Sequence, residues 1–318
     1  MMLDYKITAK DLWTGRKSDQ ELYLHEKVQC VSLVEFEFNK DLKIIALLGY
    51  ACDEGVKRNQ GRIGAEHGPD AIRKSLGKFP NHLANDTQFL DCGTITCLNA
   101  DLESTQTNLT NTIELLLSQN TFPIVIGGGH DIAYGHFKGI KKHLGNKKIG
   151  IINFDAHFDL RQNTSGNNSG TPFNQIAQDC ETENAAFNYL CLGIRNDAND
   201  KVLFETADSL NVKYLETEHF NMHYLEHVQL ILMQFIEDVD YIYTTIDLDG
   251  FSSAYAPGVS APSPMGFSPN IVLECLKVII DSKKLISLDL AEMNPTYDID
   301  GQTAKLAASL VHFVMHMV

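Results

Sequence analysis

Basic residues are scarce in this chain. Its 318 residues include 26 Lys and Arg against 41 Asp and Glu, a net charge of −15. A nucleic-acid binder carries a basic face, so no nucleic-acid partner is expected. An anionic membrane surface repels this charge, and no apolar run reaches the length of a membrane span. Thiol motifs are also missing. The seven cysteines are odd in number and scattered, with no Cys-x-x-Cys. They read as reduced thiols in a reducing compartment. Met1-Met2-Leu3-Asp4-Tyr5-Lys6 has neither an apolar stretch nor a cleavage site, so a cytoplasmic location is expected. Repeats and low-complexity tracts are absent.

What is present suffices for a large core. The composition is 44% hydrophobic and 21% charged, ordinary for a globular protein. At 35.5 kDa, area scaling gives about 13,000 Å² exposed when folded against about 51,000 Å² unfolded. Apolar β-rich runs at 43–51, 87–92, 122–127, 148–155, 187–194, 212–215, 241–248 and 284–290 predict eight strands. Ile149-Gly150-Ile151-Ile152 and Pro123-Ile124-Val125-Ile126 are nearly continuous hydrophobics, as in strands covered on both faces. Helical spacing predicts helices over 69–76, 105–119, 131–143, 200–210, 220–238, 269–280 and 303–317. The alternation predicts a three-layer α/β/α fold with a mostly parallel eight-stranded sheet. No linker divides residues 41–318, which read as one domain. Residues 1–40 fit the pattern poorly and read as an extension packing on that body.

Three segments at predicted strand ends carry the chemistry. They are Gly127-Gly128-Gly129-His130-Asp131, Asn153-Phe154-Asp155-Ala156-His157-Phe158-Asp159 and Thr245-Ile246-Asp247-Leu248-Asp249. Extended chain would put Asp155, His157 and Asp159 on one face, and likewise Asp247 and Asp249. Aligned unpaired carboxylates cost desolvation and repel one another. Two divalent cations balance the four aspartates, with His130 and His157 as neutral imidazole ligands. Carboxylate and imidazole donors suit manganese better than a thiolate-bound zinc. Such a pair of ions can activate one water for attack on an electrophilic carbon. The glycine run is not a dinucleotide loop, because Ile132 stands where the last glycine belongs.

Other signals are weaker. His219, His223 and His227 recur every four residues and read as an exposed stripe on one helix. Cys92 and Cys97 flank Gly93-Thr94-Ile95-Thr96 without a His or Asp partner and read as packed thiols.

Together the three segments resemble the ureohydrolase family of arginases, agmatinases and formimidoylglutamases. The resemblance runs from about Lys43 to the C-terminus. It implies two Mn2+ ions held by His130, Asp155, His157, Asp159, Asp247 and Asp249, with Asp155 and Asp247 bridging. It implies that Asp159 also orients the nucleophile and passes its proton to the leaving nitrogen. Glu292, in Ala291-Glu292-Met293-Asn294-Pro295, resembles the glutamate that grips a planar N–C–N cation.

Departures from the arginase pattern narrow the resemblance. Gly250-Phe251-Ser252-Ser253 follows the third motif where arginases carry Asp-Pro, and no proton-shuttle histidine stands near Ser169. Asp53-Glu54-Gly55-Val56-Lys57-Arg58-Asn59-Gln60-Gly61-Arg62 and Ser169-Gly170-Thr171-Pro172-Phe173 look like the formimidoylglutamase branch. The implied substrate is N-formimidoyl-L-glutamate, a small amidine with two carboxylates, cleaved to glutamate and formamide in histidine breakdown. Arg161, Arg58, Arg62 and Arg195 are the candidate carboxylate partners. The alternative is hydrolysis of a guanidino compound with release of urea. The family also implies a homo-oligomer, a trimer or hexamer.

Overall fold

The computed structural model describes residues 4–39 and 41–318. Its exposed surface is 13505 Å², close to the area that scaling gives. In chain order the elements are β1 (Tyr5–Lys6), α1 (Leu24–Lys27), β2 (Gln29–Cys30), β3 (Lys43–Ala51), α2 (Glu54–Arg58), α3 (Gly68–Leu76), β4 (Thr87–Thr96) and α4 (Leu102–Ser118). They continue as β5 (Thr121–Ile126), α5 (Ile132–Leu144), β6 (Ile149–Phe154), α6 (Pro172–Thr182), β7 (Asn188–Ile194) and α7 (Lys201–Ser209). The last are β8 (Lys213–Glu216), α8 (Leu225–Glu237), β9 (Tyr241–Asp247), α9 (Pro269–Asp281), β10 (Leu285–Ala291) and α10 (Gln302–Met317).

The strands form one sheet in the order β1-β4-β3-β5-β10-β9-β6-β7-β8, with β2 beside β4. All pairings are parallel except β1 with β4. The eight predicted strands are present, and two two-residue strands extend the sheet at β4. Alternate side chains of β3 feed opposite cores. Ile45 and Leu47 meet α3, α8, α9 and α10 in one apolar cluster. Ile44, Ala46 and Leu48 meet α4, α5, α6 and α7 in the other. All six β6 residues are buried, which is why that run is continuously apolar rather than alternating.

Three helix expectations change. Pro172–Thr182 is helical despite a polar sequence, and its Pro at the first turn was the available signal. Glu54–Arg58 is too short to show a period. The helix expected over 220–238 begins only at Leu225, after a turn at Met222–Tyr224. His219 and His223 therefore precede the helix that carries His227, and the expected stripe does not form.

The N-terminal segment is fixed through one buried carboxylate. Asp91, in β4, accepts from Arg73 Nε and Nη2 at 2.9 Å each, from Trp13 Nε1 at 2.7 Å and from Thr8 Oγ1 at 2.9 Å. Arg73 and Asp91 are both fully buried. Removing one member of such a pair strands the other charge in the core and costs about 3–5 kcal/mol. Asp91→Ala is expected to lower stability by that amount in urea unfolding, whereas a loss below about 1 kcal/mol would show that the segment is held elsewhere.

Candidate metal centre and cavity

The carboxyl edge of the sheet builds the site, as in other open α/β folds. β9 lies between β10 and β6, with Ala291 opposite Asp247 and Phe154 opposite Ile246. Glu292, Asp247 and Asp155 therefore emerge side by side from three adjacent strands. After β5, Gly127 and Gly128 take φ of 90° and 74°. A Cβ there would lie 2.3 Å from Pro69 and 2.5 Å from Tyr50. Only glycine allows that turn, and it brings His130 back over the strand ends.

Two local turns repeat. Asp155 Oδ1 accepts from His157 N–H, and Asp247 Oδ1 accepts from Asp249 N–H, both at 2.8 Å. Each leaves its Oδ2 facing His130 Nδ1, at 3.1 Å in both cases. Asp159 Oδ2 reaches the same nitrogen at 2.9 Å. His157 Nδ1 faces Asp155 Oδ1 at 3.5 Å and Asp249 Oδ1 at 3.3 Å. Two donor groups result: His130, Asp155, Asp159 and Asp247, and then Asp155, His157 and Asp249. Asp155 belongs to both. All six predicted ligands thus come together, though not along one extended strand. β6 ends at Phe154, and Asp159 turns back with φ of 49°.

The proton positions show what the cluster is suited to hold. Thr245 Oγ1 donates its one hydrogen to Asp289 Oδ1 at 2.5 Å. It can then only accept from His130, whose Nε2 lies 3.0 Å away. A neutral His130 ring therefore keeps its proton on Nε2 and presents the Nδ1 lone pair to three carboxylates. It makes no hydrogen bond, and neither do the buried oxygens Asp249 Oδ1 and Glu292 Oε2. Lone pairs converging on lone pairs are the donor set of a cation, and oxygen with imidazole nitrogen suits a divalent transition metal.

Where protons fill the cluster, burial lowers His130 and His157 but the facing aspartates hold both well above their usual range. Burial, then the charges of Asp249 and Asp155, holds the Asp247 carboxyl far above its usual range. Burial, then Asp155, pushes Asp159 up. Burial raises Asp249 to about 6, although His157 opposes it. Asp155 falls below its usual range, because His130 and His157 outweigh its burial. Protons and cations compete for these groups.

The cluster forms the floor of a cavity of about 320 Å³ lined by His130, His157, Asp159, Asp247, Asp249 and Glu292. Glu292 has φ of 66°, an uncommon conformation for this residue type and one that recurs at functional sites. Its Oε1 accepts from His130 N–H at 2.9 Å, which leaves Oε2 free. Of the four candidate arginines, Arg161 and Arg62 line the cavity. Arg161 has no hydrogen-bond or ion-pair partner for its guanidinium among the described residues. Arg62 donates to Ser260 O and Val259 O and lies 3.8 Å over the Tyr297 ring.

Arg58 and Arg195 are not brought to the cavity. Arg58 is held by Glu54, Glu103 and the carbonyls of Ala100 and Asn167. Arg195 is paired with Asp197. Neither has a fork free for a substrate carboxylate. Sequence reasoning missed Asn199, which accepts from Phe158 N–H and donates to Ala156 O, pinning the His157 segment. It also missed Asp289, whose only signal is a charged residue within an apolar strand.

These features define an α/β protein whose buried donor cluster, at the carboxyl edge of a parallel sheet, fits two metal ions. The model of the Arginase family matches residues 43–317, and the chain belongs to that family. It is 41% identical to a formimidoylglutamase of Geobacillus sp. (strain WCH70) over 97% of both chains. It is 44% identical to one of Vibrio parahaemolyticus over 94% of this chain and 91% of the relative. Among solved structures, a Bacillus subtilis formimidoylglutamase aligns with a TM-score of 0.82 at 24% identity, covering 96% of this chain and 94% of that one. A Trypanosoma cruzi formiminoglutamase with Mn2+2 aligns at 0.77 and 22%, covering 89% and 96%. Both show the same fold.

Metal-stripped protein is expected to gain thermal stability on titration with manganese chloride, by about 2.7 kcal/mol at a hundredfold excess over Kd. Asp155→Asn should remove most of this gain, because Asp155 belongs to both donor groups. An unchanged gain in that variant would place the metal elsewhere.

Proposed function

We propose that this chain hydrolyses N-formimidoyl-L-glutamate to L-glutamate and formamide with two Mn2+ ions at the cavity floor. Its curated relatives at about 40% identity are formimidoylglutamases along nearly their whole length. The observation that carries the reading is the pairing of charges across the cavity. A buried, unpartnered carboxylate oxygen on Glu292 faces in from the floor, and an unpaired guanidinium on Arg161 stands on its wall. An amidinium at one end and carboxylates at the other fit that polarity.

His130, Asp155, His157, Asp159, Asp247 and Asp249 hold the metals. When bound, the two ions supply Lewis acidity and bring the pKa of water toward neutrality. Glu292 Oε2 accepts one N–H of the formimidoyl group and fixes the plane of its carbon. The other Glu292 oxygen is tied to His130 N–H, so the substrate carbon is indexed to the metal ligands. Arg161 pairs with a substrate carboxylate, and Arg62 uses what its carbonyl contacts leave. Water adds to the formimidoyl carbon, and the bond from that carbon to the glutamate nitrogen breaks. Asp159 is the group placed to carry the proton to that nitrogen, since its carboxylate lies in the donor cluster and also lines the cavity. The reading places the enzyme in the cytoplasm, in histidine breakdown, and as a homo-oligomer.

Formamide and glutamate should appear in equal amounts from formimidoylglutamate under manganese. Urea from agmatine or arginine, with no action on formimidoylglutamate, would overturn the assignment. Asp159→Asn should lower kcat by about 10²–10⁴-fold, with metal content measured alongside. Arg161→Ala should lower kcat/KM by about 10–100-fold, mainly through KM, as expected for losing a charge-assisted hydrogen-bonded pair. An unaltered KM would exclude Arg161 from substrate binding.

A further inference from the structure

A pair of cysteines stands beside the metal centre without a part in it. β3 and β4 are parallel neighbours, with Ala51 opposite Thr96. The ladder runs one residue further, since Cys97 N–H donates to Ala51 O at 3.1 Å. Cys52 and Cys97 are therefore the next residues side by side, with side chains on one face. Neighbouring strands lie about 4.8 Å apart, inside the Cα window of roughly 4.4–6.8 Å that a disulfide needs. Both side chains pack against the same apolar cluster, and both cysteines are free.

The two differ in access and chemistry. Cys97 is half-buried and lines a cavity of about 450 Å³ together with Lys6, Thr8, Glu66 and Thr94. Cys52 is fully buried behind it. The neighbouring Cys52 thiol brings the Cys97 thiol down to about 7 against its burial. Arg58 favours the thiolate and Glu54 opposes it. Every other cysteine moves the opposite way. The Cys97 contact and burial push Cys52 up, and burial first raises Cys30 (to about 11), Cys92, Cys180, Cys191 and Cys275. One thiol of seven is thus both partly exposed and readily ionised, and a second stands beside it on the neighbouring strand.

We propose that Cys97 and Cys52 form an oxidisable dithiol site for a small peroxide, with Cys97 attacking and Cys52 resolving. The Cys97 thiolate attacks one peroxide oxygen and the O–O bond breaks. The departing hydroxide takes up a proton and leaves as water, and Cys97 becomes a sulfenic acid. Cys52 gives its proton to solvent and its sulfur attacks Cys97. The S–S bond forms, the S–O bond breaks, and the second oxygen leaves as water. Two thiols lose two electrons and one peroxide becomes two waters. The site touches the metal centre through the backbone, because Cys52 O accepts from Gly129 N–H at 2.9 Å, one residue before His130.

The test is peptide mapping of the full-length protein treated with hydrogen peroxide and then N-ethylmaleimide. A Cys52–Cys97 linked peptide is expected, with loss of two alkylatable thiols per chain and their return on adding dithiothreitol. In Cys52→Ser, dimedone should label Cys97 at least tenfold more than any other cysteine. The proposal fails if Cys97 and Cys52 remain fully alkylatable in treated wild-type protein, if other thiols oxidise first, or if dimedone labels Cys97 no more than Cys30. None of these readouts depends on the substrate, so they stand or fall apart from the proposed hydrolysis.

Discussion

Four aspartates, three of them buried, and two imidazoles in two adjoining donor groups cannot all keep their charges and lone pairs without a positive partner. That constraint organises the carboxyl edge of the sheet. Alone, each carboxylate would cost several kcal/mol to bury. Together they raise one another, as at Asp247 and Asp159, or draw protons onto His130, as at Asp155. Protons can settle such a cluster, but two divalent cations settle it with the charges matched.

The tautomer of His130 extends the same constraint into the sheet. Asp289 also accepts from Tyr243 and lies 2.6 Å from His136 Nδ1. His136 Nε2 is in turn 2.7 Å from Ser287 Oγ. A buried polar chain thus runs from α5 through β10 and β9 to His130 Nε2. Asp289 is the shared acceptor that takes the Thr245 hydrogen, so in a neutral His130 the lone pair at Nδ1 is fixed by groups that never reach the cavity. Glu292 ties the other side of His130, at its backbone. The histidine is held from two directions, and the Glu292 carboxylate with it.

The strands and the ligand residues were legible in the sequence for the same reason. A strand covered on both faces has no call for charge, so apolar runs ending in Asp-x-His-x-Asp or Asp-x-Asp stand out against their surroundings. The geometry was less legible. Extended backbone does not carry Asp155 to Asp159; a left-handed residue at Asp159 does, and no spacing rule announces it. The arginines show the limit most clearly. Arg58 and Arg62 occupy one segment four residues apart, yet one is tied to Glu103 and the other lines the cavity. Which cation remains free depends on partners 40 to 200 residues distant, and sequence proximity to a motif does not encode that.

In the proposed reading, substrate choice follows from what remains unpaired. The chain is strongly acidic overall, so a dicarboxylate approaches against the global field. Most cavity-lining groups satisfy one another, and the acids on the floor belong to the donor cluster. The exceptions are Glu292 Oε2 and the Arg161 guanidinium. A guanidino substrate with a cationic tail would engage the first and be repelled by the second. A formimidoyl group on an amino acid with two carboxylates engages both, because its positive and negative ends match the two unsatisfied groups. Specificity of this kind needs no large contact area. A ligand without the planar cation would leave the buried Glu292 oxygen without a partner, and such an unpaired group discriminates strongly.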